Sequence, residues 1–138
     1  MADFNTAINI NPNYADAYVG RGLARYKLGD DQAAIADYNQ ALKINPNSDL
    51  AYKNRGVARS ALGDKQGAIA DYNQALKINP NDAEAYGNRG NARFALGDKQ
   101  GAIADWKKAA DLFREQGKTR LYQKALDLIR DLETSSLK

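Results

Sequence analysis

A period of 34 residues governs this chain. The string Ile35-Ala-Asp-Tyr-Asn-Gln-Ala-Leu-Lys-Ile-Asn-Pro46 returns unchanged as Ile69 to Pro80, and Leu62-Gly-Asp-Lys-Gln-Gly-Ala-Ile-Ala-Asp71 returns unchanged as Leu96 to Asp105. Tyr18, Tyr52 and Tyr86 fall in register, as do Gly22, Gly56 and Gly90, and then Gly29, Gly63 and Gly97. Chance does not produce such identity. A period of this length means that one supersecondary unit is stacked on copies of itself, each burying a face that it could not bury alone.

Each unit reads as two helices. The first is expected over Ala15 to Leu28, capped by Asn13 and stopped by Gly29 in the left-handed conformation. Asp30 then caps a second helix that runs to Ile44. Asn45-Pro46-Asn47 ends it, because proline disfavours a helical residue before it. Ala17, Ala24 and Leu28 share one stripe of the first helix. Ala34, Ile35, Tyr38, Ala41 and Leu42 share one stripe of the second. Gly22 and Ala34 are the small residues that let two antiparallel helices approach, and Tyr38 is the knob that fills space toward the following unit.

Composition narrows the chemistry. The chain has 138 residues, 27% charged and 43% hydrophobic, with a formal charge of +3. That is an ordinary globular balance with room for one domain. There is no cysteine, which removes disulfides, thiolate metal sites and cysteine nucleophiles. There is no histidine, which removes the commonest general base and zinc ligand. No other cluster of Asp, Glu, Lys, Ser and Tyr stands apart from the repeat, so no catalytic residue, metal site or cofactor is expected. Acidic and basic residues mix along the whole length, so no block reads as a nucleic-acid tail. No apolar run is long enough for a membrane span, and a cytoplasmic protein is the expectation.

An aromatic, a glycine four residues later, an Ala-x-x-x-aromatic pair and a closing proline, all at a period of 34, resemble the tetratricopeptide repeat (TPR) family. The match covers residues 15–48, 49–82 and 83–116, with half a unit in front (1–14) and a capping helix and frayed tail behind (117–138). The wording Asn-Arg-Gly and Gly-Ala-Ile-Ala-Asp is similar to bacterial members, cyanobacterial ones among them. The resemblance implies an all-α fold: a single domain built as a right-handed α-solenoid of antiparallel helix pairs. The chain also departs from the family pattern. Tyr18, Tyr52 and Tyr86 replace a tryptophan, Arg21, Arg55 and Arg89 a leucine, Arg25, Arg59 and Arg93 a tyrosine, and Arg114 the third proline.

The two ends differ. Leu121, Tyr122, Ala125, Leu128, Ile129 and Leu132 form an amphipathic helix of the kind that closes an array, with fraying expected from Thr134 onward. At the front, Ala2 to Pro12 copies a second helix without its first, so Phe4, Ala7 and Ile8 lack part of their packing. Either this is a piece of a longer array, or the half-repeat pairs with another chain as a homodimer.

The family implies that first helices line a concave groove for a protein or peptide ligand. Carried over by position, the groove residues are Val19, Leu23 and Tyr26, then Lys53, Asn54 and Val57, then Asn88, Asn91 and Phe94, with Lys118 and Tyr122 from the cap. Asn54 and Asn88 are equivalent, and a side-chain amide can both donate to and accept from a peptide backbone. A carboxylate clamp of the kind some family members carry is incomplete. Lys53, Asn88 and Lys118 fit it, but Val57 and Tyr122 stand where an amide and an arginine belong. The arginines invite a phosphate ladder, yet Arg21 lies on the inward stripe, where a guanidinium needs a carboxylate. The expectation is therefore structural ion pairs of Arg21, Arg55 and Arg89 with Asp37, Asp71 and Asp105, within a unit or across to the preceding one. Asp3, kept without an arginine of its own, favours the second arrangement. Nucleic acid is not an expected partner. A peptide-binding scaffold leads, with self-assembly through the half-repeat as the alternative.

Overall fold

The computed structural model describes residues 1–136, with side chains through Ser135. Eight helices and no strand occur among them: α1 (Ala2–Ile10), α2 (Ala15–Lys27), α3 (Asp31–Ile44), α4 (Asp49–Ala61), α5 (Lys65–Ile78), α6 (Ala83–Ala95), α7 (Lys99–Glu115) and α8 (Thr119–Ser136). α8 is helical past Thr134, where fraying was expected to begin; Leu137 and Lys138 lie outside the described residues. Contacts divide the chain into two compact units, residues 1–78 and 79–138.

Local chemistry sets the boundaries. Gly29 takes φ +86°, with Gly63 and Gly97 alike, which lets the chain reverse in three residues between paired helices. Asp30 accepts from the Ala33 amide at 3.2 Å, and Asp98 from Gly101 at 2.9 Å, so each second helix begins on a carboxylate cap. Ser48 and Asp82 do the same for α4 and α6. Asn13 does not cap α2. The cap position is Tyr14, which offers no side-chain bond, while Asn13 donates its own amide to Asn11 Oδ1 at 3.1 Å in an Asx turn. α3 and α5 stop ahead of Asn45-Pro46 and Asn79-Pro80. Arg114 removes that barrier, and α7 runs 17 residues where they run 14.

In the first unit, Tyr38 is fully buried between α2 and α4, with Val19, Ala41, Leu42, Ala51 and Ala58 around it. Its ring explains Gly22: a Cβ there would lie 2.6 Å from Tyr38 Cε1. The close approach is thus a ring against a bare backbone, and burial pushes the Tyr38 phenol above its usual pKa. Leu28, expected on the inner stripe, is 75% exposed at the helix end. In the second unit α7 buries Leu112, at the step of Ile78, and Phe113, the first residue of its extra turn, with Ala83 and Ala109, against Tyr86 and Tyr122. Trp106 takes the position of Tyr38 and packs with Ala102, Ile129 and Leu132.

Candidate functional site

The arginines are spent on the fold. Arg21 donates from Nε to Asp37 Oδ2 at 3.0 Å and from Nη2 to Oδ1 at 2.7 Å, a bidentate fork. Arg25 donates from Nη1 to the same Oδ2 at 2.9 Å. Asp37 is only 3% exposed, so two guanidiniums converge on one buried carboxylate. The Arg21 hydrogen bonds to Asp37 hold its pKa above the usual value, against the opposing effect of burial. The set recurs as Arg55 and Arg59 on Asp71, and as Arg89 and Arg93 on Asp105. In each case the tyrosine three residues before the first arginine lies under it, 5.3–5.5 Å from guanidinium to ring centre. The carboxylate belongs to the same repeat. The link to the preceding helix is an amide instead: Arg21 Nη1 donates to Asn5 Oδ1 at 2.9 Å, and Arg55 Nη1 to Asn39 at 2.8 Å.

With those groups committed, an accessible concavity lies within residues 79–138. α6 and α8 form its walls and α7 its floor. One cavity of about 450 Å³ is lined by Asn91, Phe94, Lys99, Trp106, Leu128, Asp131, Leu132 and Ser135. A neighbouring one of about 140 Å³ is bounded by Glu84, Gly87, Asn88, Phe113, Leu121 and Lys124, among others. The two share Asn91, Trp106 and Leu128 and make one groove. Its floor is apolar, with both charge signs toward each end: Lys99 and Asp131, Glu84 and Lys124. Phe94 is half exposed and lies 5.9 Å from the Trp106 ring. Asn91 Oδ1 accepts from Trp106 Nε1 at 3.0 Å, and Asn91 lines both cavities.

Of the residues that the sequence points to, Asn88, Asn91 and Phe94 come together in this groove. Lys118 is exposed but does not line it. Tyr122 is partly buried against the Leu112–Phe113 core, and Val19, 6% exposed, is part of the Tyr38 core. Tyr26 is partly buried against the same core, Leu23 is exposed, and Lys53, Asn54 and Val57 are half-buried on α4. Reasoning from the sequence missed Trp106, Lys99, Leu128, Asp131 and Leu132. The amphipathic stripe of α8 carried the signal, but it reads as closure of the core and not as a groove wall. Among the described residues no cluster of three or more acidic, histidine or cysteine side chains could hold a metal.

Models of the tetratricopeptide repeat match residues 1–29, 22–63 and 58–97, and another matches 83–116. The chain belongs to the TPR family. Among solved structures, this TPR chain is similar to the first TPR of Spaghetti (RPAP3) bound to the HSP90 peptide SRMEEVD, at 25% identity and TM-score 0.81, covering 90% of this chain and 94% of that one. The Arabidopsis OM64 TPR domain is 28% identical with TM-score 0.77, over 85% and 94%. The Sgt2 TPR domain from Aspergillus fumigatus is 27% identical with TM-score 0.80, over 90% and 82%. No curated protein gives a match in sequence. No helix among the described residues is long and apolar enough to cross a membrane.

Proposed function

We propose that this TPR chain is a non-enzymatic scaffold that holds a peptide segment of another protein, and that its main contact is the groove of α6, α7 and α8. The observation that carries the reading is an apolar lining at Trp106 and Leu128, edged by the amides of Asn88 and Asn91. Apolar floors supply affinity and a few polar groups fix orientation, which is the usual make-up of a ligand site. The peptide held by the Spaghetti TPR domain supports the class of ligand. Lys53, Asn54, Val57, Leu23 and Tyr26 are the corresponding positions of the first unit, and Asn54 serves a peptide backbone as Asn88 does. The same reading takes the wording of the repeats as bacterial and the working place as the cytoplasm.

Trp106 is the single tryptophan and reports on the groove directly. Peptides selected on an array should change its fluorescence on titration. Asn88→Ala/Phe94→Ala should weaken them about tenfold with an unchanged helical spectrum. Selected peptides that bind both proteins alike would remove the groove from the proposal. The alternative, self-assembly through α1, is favoured by Phe4, Ala7 and Ile8, which stay half-buried. Sedimentation across a concentration series separates the two, since a simple scaffold stays monomeric.

A further inference from the structure

The repeats are controls for one another, and the third departs from the second around one lysine. Residues 96–105 copy 62–71 without change, so Lys99 stands at the step of Lys65 in the same local sequence. Lys65 is held in place: its Nζ donates to Ser60 Oγ at 2.8 Å and to the Ser60 carbonyl at 3.0 Å. Phe94 takes the step of Ser60 and offers no hydroxyl. Among the described residues the Lys99 side chain makes no hydrogen bond or ion pair. It is exposed and lines the cavity of about 450 Å³ instead. Asp131 lines the same cavity from α8. Among the described residues its ion contact is a loose one, 3.8 Å from the Nε of the adjacent Arg130, and it forms no ion pair with Lys99. The cavity thus carries two exposed charges of opposite sign that do not satisfy each other. The rest of its lining is mainly apolar. Phe94, 48% exposed, and Trp106 present rings 5.9 Å apart and tilted by 44°, and α8 adds Leu128 and Leu132.

We propose, resting on the reading of the α6–α8 groove as a peptide site, that its larger cavity selects an aromatic side chain with an acidic residue on one side of it and a basic residue on the other. Lys99 takes the acid and Asp131 the base. Each requirement has a physical source. A cavity of about 150 Å³ holds a benzene ring, so this one admits a phenyl or indole ring with room for the backbone that carries it. Aromatic pairs gain from edge-to-face and offset contacts beyond the area they bury, which favours a ring over an aliphatic chain beside Phe94 and Trp106. The two charges supply selectivity more than affinity, because both are exposed and a rim ion pair contributes little. A peptide with the same charge on both flanks sets one of them against its own sign, which disfavours it relative to the mixed peptide. Lys99 and Trp106 belong to α7, a second helix, whereas the family resemblance assigns ligand contacts to first helices.

The test uses the intact protein and end-capped peptides Gly-Ser-x-x-x-Ser-Gly. Their central residues are Glu-Phe-Lys, Lys-Phe-Glu, Glu-Phe-Glu, Lys-Phe-Lys or Glu-Ala-Lys. Phenylalanine leaves Trp106 as the only indole in the sample, so its fluorescence titrates the cavity. Backbone amide spectra of the labelled protein locate the contact. One of the two mixed phenylalanine peptides should half-saturate below about 1 mM. Its shifts should centre on residues 91–106 and 128–135. The two uniformly charged peptides should bind about twofold to fivefold more weakly at low salt, and the difference should close near about 1 M salt. Glu-Ala-Lys should bind at least about tenfold more weakly than the better mixed peptide. Lys99→Glu should invert the order, so that Lys-Phe-Lys overtakes both mixed peptides, and Asp131→Lys should favour Glu-Phe-Glu in the same way. Both residues are exposed, and an inverted preference, unlike a loss, does not arise from misfolding. Binding in the cavity that is blind to the ring, or to the peptide charges in the wild type and both variants, would overturn the proposal and leave the groove a peptide site. Shifts centred outside α6 to α8 would overturn it as well. So would the absence of saturable binding by every peptide here, and peptides selected on the array then decide whether the groove itself stands.

Discussion

Removing the carboxylate of Asp71 tests the central energetic claim. Asp71 accepts from Arg55 Nε at 3.0 Å, Arg55 Nη2 at 2.7 Å and Arg59 Nη1 at 2.9 Å. Its side chain is 3% exposed, while those of Arg55 and Arg59 are 16% and 28% exposed. Asp71→Ala leaves two guanidiniums facing each other across a vacant site. Breaking a buried pair by deleting one partner costs about 3–5 kcal/mol. Water still reaches part of both arginines, so the expected loss is about 2–4 kcal/mol. At a urea slope near 1.5 kcal/mol per molar, the midpoint falls by about 1–3 M. Arg55→Leu should cost more than Arg59→Leu, because Arg55 gives two bonds and is the more buried. Asp71→Ala/Arg55→Leu/Arg59→Leu should recover much of the loss, since it strands no charge. Repeat arrays can unfold in steps, so the comparison holds at an unchanged slope. A loss below about 0.5 kcal/mol for Asp71→Ala, or a triple variant whose loss is the sum of its parts, would refute the claim that three side chains act as one buried unit.

Three further outcomes follow from the packing. Gly56→Ala should destabilise by about 1–3 kcal/mol, because its Cβ would lie 2.7 Å from the immobile Tyr72 ring. Gly87→Ala, whose nearest neighbour is 4.0 Å away, should be neutral or stabilise by about 0.5–1 kcal/mol; thermal melts of the pair decide. Tyr38 is an acid whose folded pKa is raised, so above about pH 10 the unfolded chain releases a proton that the folded chain keeps. Stability should fall there by up to about 1.4 kcal/mol per pH unit, and Tyr38→Phe should flatten that arm of the urea-midpoint profile. Asn91→Val should cost about 1–2 kcal/mol by leaving the Trp106 indole N–H without its acceptor. Adding Trp106→Tyr, the combination that Val57 and Tyr72 already form in the second repeat, should recover part of it in the same melts.

The candidate site was only half legible in the sequence, for identifiable reasons. Asn88, Asn91 and Phe94 stand at equivalent steps of a repeated helix, and periodicity alone puts them on one face. Trp106 reads as a core knob, which it is, but its ring edge is also the groove floor. Periodicity assigns a residue to a face and cannot show that one ring serves two. Val19 and Tyr122 are less open than their spacing implies, for a related reason. The spacing places them near the wall, and only the packing of Tyr38 or Phe113 beside them decides that Val19 is buried and Tyr122 partly buried. The arginine network was legible in its partners but not in its stoichiometry. That Arg25 shares Asp37 with Arg21 depends on Cβ directions one helical turn apart.

The sequence by itself determined the helix count, the glycine reversals and the identity of each buried aspartate. These rest on local chemistry copied three times: an αL glycine, an aspartate cap and a proline stop. The tertiary structure decided which carboxylate takes which guanidiniums, that α7 gains an extra turn whose Phe113 is buried beside Leu112, and that α6 and α8 leave an apolar-floored groove between them. Those outcomes depend on distances between helices, which no period along the chain encodes.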